Sequence, residues 1–234
     1  MTAMAPPVPR TGSRTLRATG LLVRRQALVW AWYWGLLALV AVMMSGIPTL
    51  PDDTETGVWG FLDTAPRWFA FAMLVGLLLG SVGPHVALGM TRRGFTGVLA
   101  VVAGLTALVG AVIWTLGAVV EARLTGRTVG AVGPIVLENA AQLASYAAAG
   151  VLVGAVYYRA GGWWGTVTLP LTLGPTVLTE TWVATGWQGA TGAALGLPPA
   201  PPVLTYLLPA LVAVLLLLAA RPVLGGAAIR RPSG

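Results

Sequence analysis

Apolar runs recur along this chain near residues 27–47, 67–90, 95–120, 134–157, 163–185 and 203–220. Each is close to the ~20 residues that a helix needs to cross a bilayer. In lipid every backbone N–H and C=O must be satisfied within the chain, so such runs cross as helices. Six crossings are therefore expected, in an all-α polytopic membrane protein.

Charge supports this. Only 9% of the 234 residues are charged and 56% are hydrophobic, with mean hydropathy +0.81. A soluble domain carries about a quarter charged residues. The apolar run near the start is long, no Ala-x-Ala site ends it, and further runs follow, so a cleaved signal peptide is not expected.

All fourteen basic residues are arginine. They sit at the ends of apolar runs, where topology signals belong, rather than in a nucleic-acid patch. With the N-terminus inside, the inner segments hold Arg10, Arg14, Arg17, Arg24, Arg25, Arg92, Arg93, Arg159, Arg221, Arg230 and Arg231. The outer segments hold Arg67, Arg123 and Arg127, together with Asp52, Asp53, Glu55, Asp63 and Glu121. Both termini are thus expected in the cytoplasm of a multi-pass cell-membrane protein.

Several chemistries are excluded. There is no cysteine, so no disulfide, thiolate metal site or cysteine nucleophile can form. There is no lysine, so a Walker A phosphate loop is impossible, and any ATP must be bound by another chain. His85 is the lone histidine, too few for a metal site. A membrane-embedded glutamate–histidine protease would need more than one histidine and a Glu-Glu pair. No cofactor, metal or catalytic residue is expected.

In chain order, Pro6, Pro7 and Pro9 mark residues 1–10 as a tail. Residues 11–26 place Arg14, Arg17, Arg24 and Arg25 within about 100° of arc, opposite Leu16, Val23 and Ala27. That pattern suits a helix lying on the inner membrane surface. A plain positively charged flank explains the same arginines. Trp30, Trp32, Tyr33 and Trp34 are expected as an inner aromatic belt, and Phe61, Trp68 and Phe69 as an outer one. The spans then occupy 27–220, and 221–234 is a tail.

Small residues recur in the middle spans: Gly76 and Gly80; Gly97, Gly104, Gly110 and Gly117; Ala140, Ala144, Ala147, Ala148, Gly150 and Gly154. They let helices approach closely in lipid, within a bundle or between subunits. Pro170, Gly174 and Pro175 are expected to kink the fifth span. Gly186–Pro202 carries no charge and reads as a surface loop or a re-entrant element.

The polar break Gly83–Phe95 joins the second and third spans. Arg92 and Arg93 would hold an inner loop inside, or would serve a short helix that docks on an acidic groove, since arginine pairs carboxylates bidentately. Glu138 and Glu180 are the acids within apolar runs, both near the outer surface, where Arg123 or Arg127 could pair with either. Intramembrane acids are costly and often mark a pathway, and His85 is a further polar candidate.

Leu88-Gly89-Met90-Thr91-Arg92-Arg93-Gly94-Phe95 resembles the turn between the second and third spans of ABC transporter permeases of the type-2 export class. It is especially similar to small actinobacterial permease-like membrane proteins. The resemblance implies that Leu88, Gly89, Met90, Thr91, Arg92, Arg93 and Phe95 form a coupling helix that docks on a separate ATP-binding subunit. It also implies a basic amphipathic helix at Thr11–Gln26, a re-entrant hairpin at 186–202, and a second permease copy or sister permease as partner. The leading expectation is an exporter subunit without its own ATPase site. A non-transporting membrane scaffold is the alternative.

Overall fold

The computed structural model describes residues 11–45, 58–59, 62–128, 130–184, 201 and 203–226. The expected tail 1–10, nearly all of 186–202 and the last residues of the chain lie outside that set. The described chain is helical: α1 (Thr11–Ser45), α2 (Thr64–Ala87), α3 (Arg92–Leu124), α4 (Val132–Ala160), α5 (Gly162–Val167), α6 (Leu169–Ala184) and α7 (Leu204–Gly225). Among the described residues no strand forms.

Five of these helices, α1, α2, α3, α4 and α7, are long and apolar enough to cross a membrane. The expected fifth span is instead two pieces, α5 and α6, which meet at Thr168. The break lies at Pro170 rather than in the middle of the run. Pro170 has no N–H to donate to the preceding turn and its ring crowds that turn, but proline is tolerated in a first helical turn, so the helix breaks at Thr168 and α6 starts afresh at Leu169. Pro175 is carried inside α6.

α4 is the central helix and packs against α7, α2, α3 and α6. In its most apolar stretch 78% of residues are buried, against 6% in α1. Its sequence explains why. Ala147, Ala148, Gly150, Gly154 and Ala155 leave no bulk on the contact faces, so neighbouring backbones come close. A Cβ built on Gly150 would lie 2.4 Å from the Phe71 carbonyl oxygen of α2. On Gly154 it would lie 3.2 Å from Leu78 Cβ.

The small residues of α2 behave differently. Gly76 and Gly80 are exposed, with nothing within 4 Å of an added Cβ. In α3, Gly97 and Gly104 are equally open, whereas Gly110 meets Leu143 and Gly117 receives the indole of Trp59.

α1 is one helix across the expected boundary at 26/27. Its buried residues there are Ala18, Thr19, Leu22 and Gln26, and Ala18 and Leu22 join the main core. Val23 and Ala27, expected on the apolar face, are exposed, as are Arg17, Arg24 and Arg25. Two of the aromatic residues of α1, Trp30 and Tyr33, pack against α2, whereas Trp32 is exposed. Tyr33 stacks on Phe69 near the start of α2 at 3.8 Å, and Trp30 meets the same ring edge-on at 4.8 Å. They knit α1 to the opposite end of the bundle from Ala18.

Candidate functional site

Charge divides the bundle into two ends. The described acids, Asp63, Glu121, Glu138 and Glu180, lie near the start of α2, the end of α3, the start of α4 and the end of α6. These helix ends make one acidic end. Arg92 and Arg93 start α3, Arg159 ends α4 and Arg221 is near the end of α7, which makes the other end basic.

At the basic end, the break between α2 and α3 is a tight turn. Gly89 takes φ +83°. Its N–H donates to Val86 O at 3.0 Å, and Met90 N–H donates to His85 O at 3.0 Å. This is a Schellman cap, in which a left-handed glycine closes the last carbonyls of a helix. Met90 folds onto the core. Thr91 then caps α3, its Oγ1 accepting from Gly94 N–H at 3.1 Å. Phe95 is fully buried. The expected short coupling helix is therefore not a separate helix: α2 ends at Ala87 and α3 begins at Arg92. The two caps consume the residues between. Leu88 stands 84% exposed at the tip, and Arg93 is exposed beside it.

Arg92 and Arg93 occupy the first turn of α3, which holds no acid. The N-terminal end of a helix carries positive partial charge, so two arginines there oppose the usual preference. Thr91, Arg92, Arg93 and Arg221 line an open cleft of about 940 Å³ between α3 and α7.

At the acidic end, Arg67 of α2 is buried between carboxylates. It pairs with Asp63 at 2.8 Å and with Glu180 of α6 at 2.5 Å. Tyr146 of α4 donates its hydroxyl proton to the second Glu180 oxygen. The network therefore ties α2, α4 and α6 together. Burial pushes the Asp63 carboxyl above the usual range, against the pull of Arg67. Glu138 stands within electrostatic range of Arg67 and Asp63 but makes no hydrogen bond or ion pair among the described residues. Glu138, Gln142 and Tyr146 share about 80° of arc on α4. Gln142 is buried and its Oε1 has no hydrogen-bond partner among the described residues.

Several expectations change here. Glu180 is paired by Arg67, not by Arg123 or Arg127, which line a separate hollow of about 270 Å³ with Val119 and Val132. In sequence Arg67 reads as an outer flank because it opens an apolar run, and Tyr146 sits in a row of small residues. The i, i+4, i+8 spacing from Glu138 was the available signal for Tyr146. His85 does not join the acids. It lies 18 residues beyond Arg67 on α2, about 27 Å along the axis. Its Nδ1 is 2.7 Å from Ser81 O, and its ring packs 5.1 Å from Phe95. The side chain of Arg14 lies outside the described set.

Near the acidic end, Trp59 is seated on α3. Its ring stacks on Trp114 at 4.8 Å, its Nε1 donates to Trp114 O at 2.8 Å, and its backbone N–H donates to the Glu121 carboxylate at 3.1 Å. Among the described residues no group of His and acidic side chains could hold a metal ion.

No protein-family model, no curated protein and no solved structure matches this chain.

Proposed function

We propose that this chain is the transmembrane subunit of an ATP-driven exporter of the ABC type, coupled to a separate ATP-binding subunit. On this reading α5 and α6 together make the sixth crossing, since residues 162–184 span about 34 Å at helical rise. The excess of arginine at the basic end then sets that end, and both termini, in the cytoplasm of the cell membrane.

The observation that carries the proposal is the capped turn at 88–95. It is held rigidly by two helix caps and presents exposed Leu88 and Arg93 away from the bundle, with no described carboxylate beside them. A rigid basic tip suits an acidic groove on an ATP-binding partner. The Arg67–Glu180–Tyr146 network would hold the pathway wall at the opposite end. The open faces of Gly76 and Gly80 suit a second permease copy.

The test is co-purification in mild detergent from the native host. A stoichiometric ATP-binding subunit is expected, and it should be lost in the Arg92→Ala/Arg93→Ala variant. A protein that purifies alone under every gentle condition overturns the reading.

The second reading, a non-transporting scaffold, is favoured by one observation. Gly89, Met90, Thr91 and Phe95 all have local structural duties, and no separate docking helix forms. Replacing Arg92 and Arg93 by one lysine should leave a scaffold working.

A further inference from the structure

We infer that the cleft between α3 and α7 is a binding site for a phosphate anion, and that a phospholipid headgroup is its natural source. Two helices deliver three cations to one opening, and a third helix places one more beside its Gly226 edge. Arg92 and Arg93 come from α3 and Arg221 from α7. Arg159, from the end of α4, sits beside Gly226: a Cβ added at Gly226 would lie 3.1 Å from the Arg159 guanidinium.

None of these four arginines has an ion pair among the described residues. Arg92 only reaches the Gly225 carbonyl, at a long 3.5 Å. All seven acids of the chain lie elsewhere in sequence, and the four described ones sit at the opposite end of the bundle. The first turn of α3 adds its own positive field. Like charges gathered this way repel unless an anion joins them. Guanidinium forks match phosphate oxygens bidentately, which a chloride ion cannot exploit.

The cleft is also amphiphilic. Leu218 lies one turn from Arg221 on the same wall and is 48% exposed. A phosphate held by the arginines would leave an attached acyl chain running along that apolar wall. Free phosphate would gain nothing from Leu218.

The inference does not depend on docking of an ATP-binding subunit. Arg221 lines the cleft and Arg159 flanks it beside Gly226, and neither belongs to the turn proposed to dock, so their variants separate the two ideas. The experiment titrates the purified, delipidated full chain with phosphatidylglycerol, with phosphatidylcholine of the same chains, and with inorganic phosphate, and reads bound ligand by native mass spectrometry. Phosphatidylglycerol should bind in preference to phosphatidylcholine. Arg221→Gln should weaken it about fivefold, the contribution of one arginine near an anionic headgroup. Arg221→Lys should recover only part of that loss, since an ammonium keeps the charge but not the fork, and Arg123→Gln, at the opposite end of the bundle, should change nothing. If inorganic phosphate displaces the lipid at equal concentration in an Arg221-dependent manner, the site stands and its source is free phosphate. Equal binding of the two lipids, or binding indifferent to both Arg221→Gln and Arg159→Gln, overturns the proposal. Arg159→Gln also serves if Arg221→Gln does not fold.

Discussion

Arg67 and Glu180, 113 residues apart in sequence, close an ion pair of 2.5 Å that joins α2 to the broken α5–α6 element. Their side chains are 10% and 18% exposed. In such a setting the desolvation cost of each charge is met mainly by its partner, with Asp63 assisting Arg67 and the Tyr146 hydroxyl assisting Glu180, so removing one partner costs far more than the pair contributes. Arg67→Gln and Glu180→Gln should each lower stability in detergent by about 3–5 kcal/mol. Asp63→Asn should cost less, because Asp63 is 37% exposed and leaves the Glu180 bond intact. A double-mutant cycle on Arg67 and Glu180, followed by thermal unfolding, checks the coupling. Additive losses would contradict it.

The α2–α4 contact makes a prediction about two glycines of similar sequence context. A Cβ at Gly150 meets backbone at Phe71, which cannot rotate away. Gly150→Ala should therefore destabilise by about 1–3 kcal/mol, as overpacking does. Gly76→Ala should be neutral or stabilising by up to about 1 kcal/mol, since alanine favours helix and the space is open. Paired melting curves of the two variants decide this.

Gly89 carries the left-handed step of the Schellman cap. Gly89→Ala should cost about 1–2 kcal/mol, the penalty of that conformation for an L-residue. Gly89→Asn should cost less, because asparagine visits the region more readily. The measurement is again thermal unfolding, before any assay of partner binding, because a loss of docking in Gly89→Ala alone would report folding of the turn.

Trp59 fills the space that Gly117 leaves on α3, where an added Cβ would lie 2.2 Å from the ring. Gly117→Val should expel the indole and lower stability. Once Trp59→Ala has removed the ring, Gly117→Val should cost little more. Residues that share one contact are non-additive in this way, and a double-mutant cycle at these two positions measures it.

Residue spacing alone was enough to read a helical membrane bundle, because lipid leaves the backbone no other partner than itself. The small residues of α4 also marked it as a helix that neighbours could approach closely. The excess of arginine without acid at one set of run ends was visible too, and the folded bundle keeps it as one basic end, while Arg67, Arg123 and Arg127 stay at the end that holds the acids. Tertiary structure alone decided where those faces meet. Helical periodicity shows that Gly150 and Gly154 share a side, as Gly76 and Gly80 do. It does not show that the first pair meets the α2 backbone while the second stays open. It could not choose Arg67 over Arg123 as the partner of Glu180, nor separate His85 from the acids, because those relations depend on which helices are neighbours. Ala18 and Leu22 make the same point on α1: the arginine face was legible, but the side turned to the core was not. Contacts between helices distant in sequence are fixed by packing of whole faces, and no single segment carries that information.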